Sequence, residues 1–260
     1  MVNPKGYATV RQLLNKNYYS LLAKSLLMIF SSVLLVSCGG GSSTGGSSNP
    51  SINRMIVFGD SLTDTGTFGY KATIQGASPT GVNSAQIFVD IIATNKSLSA
   101  SCNYYVGTPD NVSAATFSVN PTSGCTNFSS LGGRIIYRDA SSTPTSTDPR
   151  GLPVQISTAA AVLGGYTSKD LIIVGAAGND FADLFGAALA VLTTTGATQT
   201  AALSSFGTFV SAVIPAATVN ATLATVVDST TLSSALASLG AAYSAGLATG
   251  LNSAIESGII

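Results

Sequence analysis

The sequence contains no histidine and no tryptophan in 260 residues. An imidazole is the usual proton acceptor for a serine nucleophile and a common ligand of transition metals, so histidine fills neither role here. Charged residues are also scarce, at 8% of the chain against about 25% in an average globular protein. The 11 basic and 11 acidic residues cancel, which leaves no surplus of positive charge to neutralise nucleic-acid phosphates. We therefore expect no nucleic-acid partner and no metal or organic cofactor.

Apolar residues are abundant, at 45% of the chain. A disordered chain would be poor in apolar residues and rich in charge, so this composition predicts a folded protein. The length fits either two small domains or one α/β domain, and nothing in the middle of the chain forces a division. We expect one folded domain over residues 52–260.

Residues 1–37 have the pattern of a secretory signal. Basic residues precede a short apolar run at residues 25–38, which is too brief to span a bilayer comfortably. Its last four residues, Leu-Val-Ser-Cys at 35–38, resemble the lipobox of bacterial lipoproteins. The resemblance implies a diacylglyceryl group on the Cys38 thiol and cleavage just before it. An ordinary signal peptide or a membrane anchor with an incidental cysteine is the alternative.

Residues 38–51 are expected to join the lipid to the folded domain. Residues 39–50 are almost wholly Gly and Ser, a composition typical of a flexible tether. Stable anchoring requires more than one acyl chain, because a single chain binds a membrane only marginally. We expect an exported protein held on a bacterial membrane, in the periplasm or at the cell surface.

Cys102 and Cys125 form an even pair once Cys38 is assigned to the lipid. In an exported protein such a pair is more often oxidised than reduced, so we expect a disulfide. Two buried thiols are the alternative. A metal site is not indicated, because no histidine and no closely spaced cysteine accompanies the pair.

The apolar pattern predicts an α/β order of elements. Residues 52–58 and 170–177 are predicted strands, the second of them near-continuously apolar and thus typical of a parallel strand buried on both faces. Residues 84–93 and 154–164 are predicted helices, the latter ending at paired glycines. Residues 96–153 are predicted to be irregular loops above a site, and residues 181–260 two or three helices.

Both predicted strands end in polar residues. Gly-Asp-Ser-Leu at 59–62 follows the first strand, and Gly-Asn-Asp at 178–180 follows the second. Between them in the sequence lies Thr-Asn-Phe-Ser-Ser-Leu-Gly-Gly-Arg at 126–134. Because the carboxyl ends of parallel strands meet at one edge of a sheet, we expect Ser61 and Asn179 to converge there. A serine hydroxyl surrounded by N–H donors suits a reaction that develops negative charge on oxygen.

These three blocks, in this order, resemble the SGNH or GDSL family of esterases and lipases. The resemblance implies that Ser61 is a nucleophile and that the Ser61 and Gly132 N–H groups and the Asn179 amide hold an oxyanion. Five further residues of the same blocks are expected to support the site: Gly59, Asp60, Asp64, Gly178 and Asp180. The resemblance also implies a flavodoxin-like three-layer α/β/α sandwich with a parallel sheet in the order 2-1-3-4-5. The implied substrate is an ester of a lipid or an acylated small molecule.

Simpler interpretations exist for each residue. Ser61 and Asp64 fit a helix-capping pattern, so Ser61 could cap a helix. Asn179 could be a loop residue, and Gly132 is one of 27 glycines. Asp60 and Asp64 lie near the nucleophile, but a solvated carboxylate is too weak a base to replace histidine near neutral pH.

The family's catalytic base is a histidine in an Asp-x-x-His block, and the sequence has none. Nothing after residue 177 is typical of a fourth or fifth strand either. We therefore expect this chain to be the N-terminal part of the enzyme, nearly inactive as it stands, with the base beyond residue 260. The alternative is a non-catalytic surface lipoprotein that uses the same scaffold for binding, in which Ser61→Ala would leave the function unchanged.

Overall fold

The computed structural model describes residues 51–74, 85–98, 102–108, 115–138 and 144–260. The predicted signal at residues 1–37, Cys38 and the tether up to residue 50 lie outside the described residues, as does the start of the helix predicted at 84–93.

Four strands and six helices lie in the described part of the chain. The strands are β1 (Arg54–Gly59), β2 (Tyr105–Gly107), β3 (Phe117–Val119) and β4 (Asp170–Gly175). The helices are α1 (Phe88–Asn95), α2 (Leu152–Leu163), α3 (Gly178–Thr193), α4 (Gly196–Val210), α5 (Ala216–Leu223) and α6 (Ser229–Gly258).

The strands β1 and β4 form a small parallel sheet, which confirms the α/β class. Their register runs from the Arg54–Asp170 pair to the Gly59–Gly175 pair. Both strands therefore end at the same edge, and the segments that follow them leave the sheet side by side. The strands β2 and β3 form a separate antiparallel pair.

β1 has hydrogen-bonded neighbours on both sides. On the edge of β1 that faces away from β4, the Val57 N–H donates to the Thr126 carbonyl at 3.0 Å, and the Phe128 N–H donates to the Val57 carbonyl at 2.8 Å. Residues 126–128 thus run parallel to β1 as a short strip. Because β1 is covered on both edges, Ile56, Val57 and Phe58 are fully buried.

The prediction of a second strand buried on both faces is wrong. All six residues of β4 are only half-buried. Within the described residues β4 pairs with β1 alone, so it is an edge strand. Its apolar sequence indicates strand structure correctly but overstates how much of it is covered.

Several predicted boundaries shift. α1 starts at Phe88, later than predicted, and extends to Asn95. Residues 96–153 contain the β2–β3 pair and the start of α2, so they are less irregular than expected. α2 starts at Leu152 because Pro153 is compatible with a first helical turn, and it ends at Gly164, whose φ of 72° is left-handed. The carboxyl-terminal region has four helices, the first starting at Gly178.

The described residues form two compact units. One contains residues 206–245, where the rings of Phe209 and Tyr243 stack with centroids 5.1 Å apart. The other contains the sheet, the residues up to 205, and residues 246–260. Among the described residues, no helix is both long enough and apolar enough to cross a membrane.

Candidate functional site

Ser61 lies on a tight turn that starts where β1 ends. The Asp60 N–H donates to the Gly175 carbonyl at 2.9 Å, which ties the start of the turn to the end of β4. The N–H groups of Thr63 and Asp64 both donate to the Asp60 carbonyl, at 3.1 and 3.0 Å. No helix follows in residues 60–70, so the alternative interpretation that Ser61 caps a helix is wrong. The turn is capped instead by Asp60, whose carboxylate accepts the Leu62 N–H at 3.0 Å.

Gly59 can only be a glycine at this position. Its φ is +138°, a value that residues with a Cβ rarely adopt, and a Cβ here would lie 2.0 Å from the Gly175 carbonyl oxygen. The close approach lets the chain turn directly off the sheet. Gln155, fully buried on α2, accepts the Gly59 N–H at 2.7 Å and donates to its carbonyl at 3.0 Å. Both backbone polar groups at the end of β1 are therefore satisfied without a neighbouring strand.

Asp64 joins the serine turn to the segment that carries Gly132. Its carboxylate is buried and accepts the backbone N–H groups of Gly66 at 2.8 Å, Thr67 at 2.7 Å and Leu131 at 2.6 Å. It also accepts the side-chain amide of Asn103 at 3.0 Å. The role of Asp64 is thus to fix the positions of three segments relative to one another.

A disulfide lies beside two asparagines that support the serine turn. It joins Cys102 and Cys125, with their Cα atoms 4.7 Å apart. Asn103, next to Cys102, contacts Asp64 as described above. Asn127, two residues after Cys125, is fully buried and donates to the Thr63 carbonyl at 2.8 Å. The disulfide thus holds together the two segments whose asparagines, Asn103 and Asn127, bind the serine turn.

The Gly132–Gly133 pair lies directly against the serine turn. The Gly133 N–H donates to the Ser130 carbonyl at 2.8 Å, and the Ser130 N–H donates to the Gly59 carbonyl at 3.2 Å. A Cβ at Gly133 would lie 2.3 Å from the Gly59 carbonyl oxygen, so only a glycine permits this contact. Gly132 has a φ of +79°, which also favours glycine.

Asn179 lies at the start of α3. Its side-chain amide donates to the Gly133 carbonyl at 2.9 Å, and a Cβ at the preceding Gly178 would lie 3.4 Å from an Asp60 carboxylate oxygen. Ala177, which precedes the helix, has a φ of 93°, an unfavourable value for a residue with a Cβ. The structure therefore brings the Ser61 turn, Gly132 and Asn179 together at one edge of the sheet.

The first turns of α3 also hold residues 132–136. Asp180 accepts the Ile135 N–H at 2.9 Å and the Ile136 N–H at 3.1 Å. Asp183 binds Arg134 through two hydrogen bonds, at 2.6 and 3.0 Å. Three side chains of one helix, at positions 179, 180 and 183, thus fix the segment that carries Gly132.

Within the described residues, two backbone donors at this edge have no backbone acceptor. They are the N–H groups of Ser61 and Gly132. The Asn179 amide has two hydrogens, of which the bond to Gly133 uses one. Together these donors could bind an oxygen that carries negative charge.

Burial raises the pKa of three carboxyl groups at the site, those of Asp60, Asp64 and Asp180. Burial is the largest cause for Asp60 and Asp64, and their N–H donors oppose it only in part. Burial likewise raises the pKa of Asp180 to about 6, against the lowering effect of the Ile135 and Ile136 N–H groups.

The sequence alone does not indicate Gln155, Asn127 or Arg134 as parts of the site. Gln155 and Asn127 bind backbone groups that are far away in the sequence, on Gly59 and Thr63. Arg134 joins the nearby Gly132 carbonyl to the distant Asp183 carboxylate. The amide side chain of Gln155, in a largely apolar helix, is the one signal that could have indicated such a role.

No protein-family model matches the chain, and no curated protein sequence matches it. Within the ranges that the structure describes, no group of three or more His, Cys, Asp or Glu side chains is placed to hold a metal ion.

Proposed function

We propose that the chain carries the nucleophile and oxyanion part of an exported, lipid-anchored serine ester hydrolase of the SGNH or GDSL type. The observation that supports this proposal best is the convergence of Ser61, Gly132 and Asn179 at the carboxyl edge of two parallel strands. Their open N–H groups are the donors that such a hydrolase needs. The substrate is an ester of a lipid or an acylated small molecule.

The finer fold belongs to the same proposal. The strip at 126–128, β1 and β4 lie in the order that strands two, one and three have in a flavodoxin-like sandwich. Further strands would pair with the edge of β4 that no described strand covers. Because an uncovered apolar edge promotes aggregation, a covering strand would also stabilise the protein in solution.

In the proposed reaction, the Ser61 Oγ attacks the ester carbonyl carbon while a histidine outside these 260 residues accepts the hydroxyl proton. The Ser61 and Gly132 N–H groups and the Asn179 amide stabilise the oxyanion of the tetrahedral intermediate. The histidine then donates the proton to the departing alcohol, leaving an acyl group on Ser61. Water, deprotonated by the same histidine, hydrolyses this acyl-enzyme.

The test is active-site labelling of the polypeptide made from the complete reading frame. A fluorophosphonate should modify Ser61, and Ser61→Ala should abolish both the labelling and the hydrolysis of a short-chain p-nitrophenyl ester, with a loss on the order of 10⁶ in turnover. Ser157→Ala, an exposed serine on α2, is the matched control and should keep both. The 260-residue chain alone should be nearly inactive.

The lack of histidine favours one second candidate, a lipid-anchored surface protein that binds ligands through the same scaffold without catalysis. It predicts an inert Ser61 in the complete polypeptide and a reading frame without an Asp-x-x-His block. Sequencing the gene past codon 260, together with the labelling experiment, separates the two candidates.

The membrane attachment is also a proposal, and it depends on Cys38. Metabolic labelling with radioactive palmitate should mark the exported protein, and Cys38→Ser should remove the label and release the protein from the membrane fraction. Label that persists in Cys38→Ser would contradict lipidation at this residue.

A further inference from the structure

The Arg134 side chain forms a bridge between Gly132 and α3. Its Nη1 donates to the Gly132 carbonyl at 2.6 Å. Its Nε and Nη2 donate to the two carboxylate oxygens of Asp183 at 2.6 and 3.0 Å. One planar guanidinium therefore contacts both the loop that carries an oxyanion donor and the helix that carries Asn179.

The Gly132 peptide units need such a restraint. Gly132 has no side chain and adopts a positive φ, so its backbone has more conformational freedom than that of any other residue type. The preceding Leu131 N–H is held by Asp64, and the following Gly133 N–H is held by Ser130. The Gly132 carbonyl has Arg134 as its partner. Only the two backbone dihedral angles of Gly132 separate its carbonyl from its own N–H, so the Arg134 contact restricts the direction of the Gly132 N–H.

Arg134 also links the two oxyanion donors that come from different parts of the chain. Asp183 lies one helical turn after Asn179 on α3, so the Arg134–Asp183 pair ties Gly132 to the same rigid element that positions the Asn179 amide. The pair is half-buried, and the hydrogen bonds to Asp183 raise the pKa of the guanidinium, which keeps it charged. Lysine could not make the three directed contacts at once.

We propose that Arg134 is a positioning residue for the reaction, which sets the Gly132 N–H against the Asn179 amide so that both point at one oxyanion. This inference rests on the proposed hydrolase function. An oxyanion donor acts mainly in the transition state, so its displacement lowers kcat and leaves KM nearly unchanged.

The test compares Arg134→Gln with Arg54→Gln in the complete polypeptide. Arg54 is a matched control because it forms the same two-pronged pair with Asp170, at 2.9 and 2.7 Å, and donates to the Gly165 carbonyl at 3.2 Å. Arg54 lies at the start of β1, about 17 Å along the strand from Gly59 at the site. Arg134→Gln should lower kcat about 10- to 100-fold with KM unchanged. Arg54→Gln should lower the melting temperature but keep kcat.

A charge reversal separates positioning from simple stabilisation. The double variant Arg134→Asp with Asp183→Arg restores an ion pair between the segments but removes the donor to the Gly132 carbonyl. Its melting temperature should recover relative to Arg134→Asp alone, while kcat stays low. Recovery of kcat together with stability would overturn the positioning role.

The outcomes distinguish this inference from the proposed function. An active wild-type enzyme whose kcat is the same in Arg134→Gln overturns the positioning role and leaves the hydrolase standing. A complete polypeptide that neither hydrolyses esters nor reacts with a fluorophosphonate at Ser61 overturns both.

Discussion

The side-chain amide of Asn179 donates a hydrogen bond to the Gly133 carbonyl oxygen at 2.9 Å. This bond joins the start of α3 to the loop that packs on the end of β1 and uses one of the two amide hydrogens. Asn179 is thus both a structural link and a candidate oxyanion donor.

Replacing Asn179 with alanine should therefore affect catalysis much more than stability. Loss of one oxyanion donor typically costs about 10²- to 10³-fold in kcat. Loss of the hydrogen bond to Gly133 should lower the free energy of unfolding by only about 1 kcal/mol. Steady-state kinetics of the complete polypeptide and urea unfolding measure the two effects. Asn220→Ala, an exposed asparagine on α5, is the control and should change neither.

Asp180 should make the stability depend on pH. Its pKa is about 6 in the folded protein against a reference value of 3.8. At pH values between these two, Asp180 is therefore mostly protonated in the folded state and mostly ionised in the unfolded state. The free energy of unfolding should therefore fall as the pH rises from about 4 to about 6, by at most about 3 kcal/mol. Asp60 and Asp64, whose pKa values are also raised, contribute in the same direction. Urea unfolding at several pH values measures the slope.

The variant Asp180→Asn identifies the group responsible. It should lose part of this slope, and it should also be less stable at low pH, because its amide NH₂ cannot accept a backbone N–H. A slope equal to that of the wild type would show that Asp180 does not titrate as expected.

The backbone strain at Ala177 predicts a stabilising substitution. Ala177→Gly removes the Cβ from a residue with a φ of 93° and should raise the free energy of unfolding by about 1 kcal/mol. Ala182→Gly, at an exposed helical position on α3, should lower it by about 0.5–1 kcal/mol, because glycine disfavours a helix. Thermal unfolding of both variants gives the comparison. Destabilisation by Ala177→Gly would mean that the strain is not relieved.

Removal of the disulfide should loosen the support of the serine turn. The bridge closes a loop with a sequence separation of 23 residues, so Cys102→Ser with Cys125→Ser should cost about 3 kcal/mol of stability. Amide hydrogen exchange should rise first at residues 60–67, since Asn103 and Asn127 next to the bridge bind this turn. Increased exchange confined to residues 102–125 would contradict the link.

Local sequence patterns were sufficient where the physical cause is local. Two apolar runs bounded by glycine and polar residues predicted β1 and β4, and the paired glycines after residue 163 predicted the end of α2. The motifs around Ser61 and Asn179 could be placed at one edge of the sheet because parallel strands share their direction. The pairing of Cys102 with Cys125 was predicted from the expected export of the protein and from the assignment of Cys38 to a lipid.

The turn at Ser61 shows where local reasoning failed. Its sequence fits a helix cap, but a close contact between Gly59 and Gly175 forces the chain off the sheet at once. Asp64, which would have been part of the capping pattern, binds Leu131 and Asn103 instead. Neither contact is visible in a window of neighbouring residues.

The sequence by itself therefore determined the class of the fold, the residue types available for chemistry and the lack of an imidazole base. Only the tertiary structure decided that Asn179 and Arg134 converge on the Gly132–Gly133 loop, that Gln155 completes the end of β1, and that β4 is half-exposed. The physical reason is that apolar periodicity and backbone preferences act over a few residues. Hydrogen bonds and close packing between distant segments depend on where the folded chain brings them.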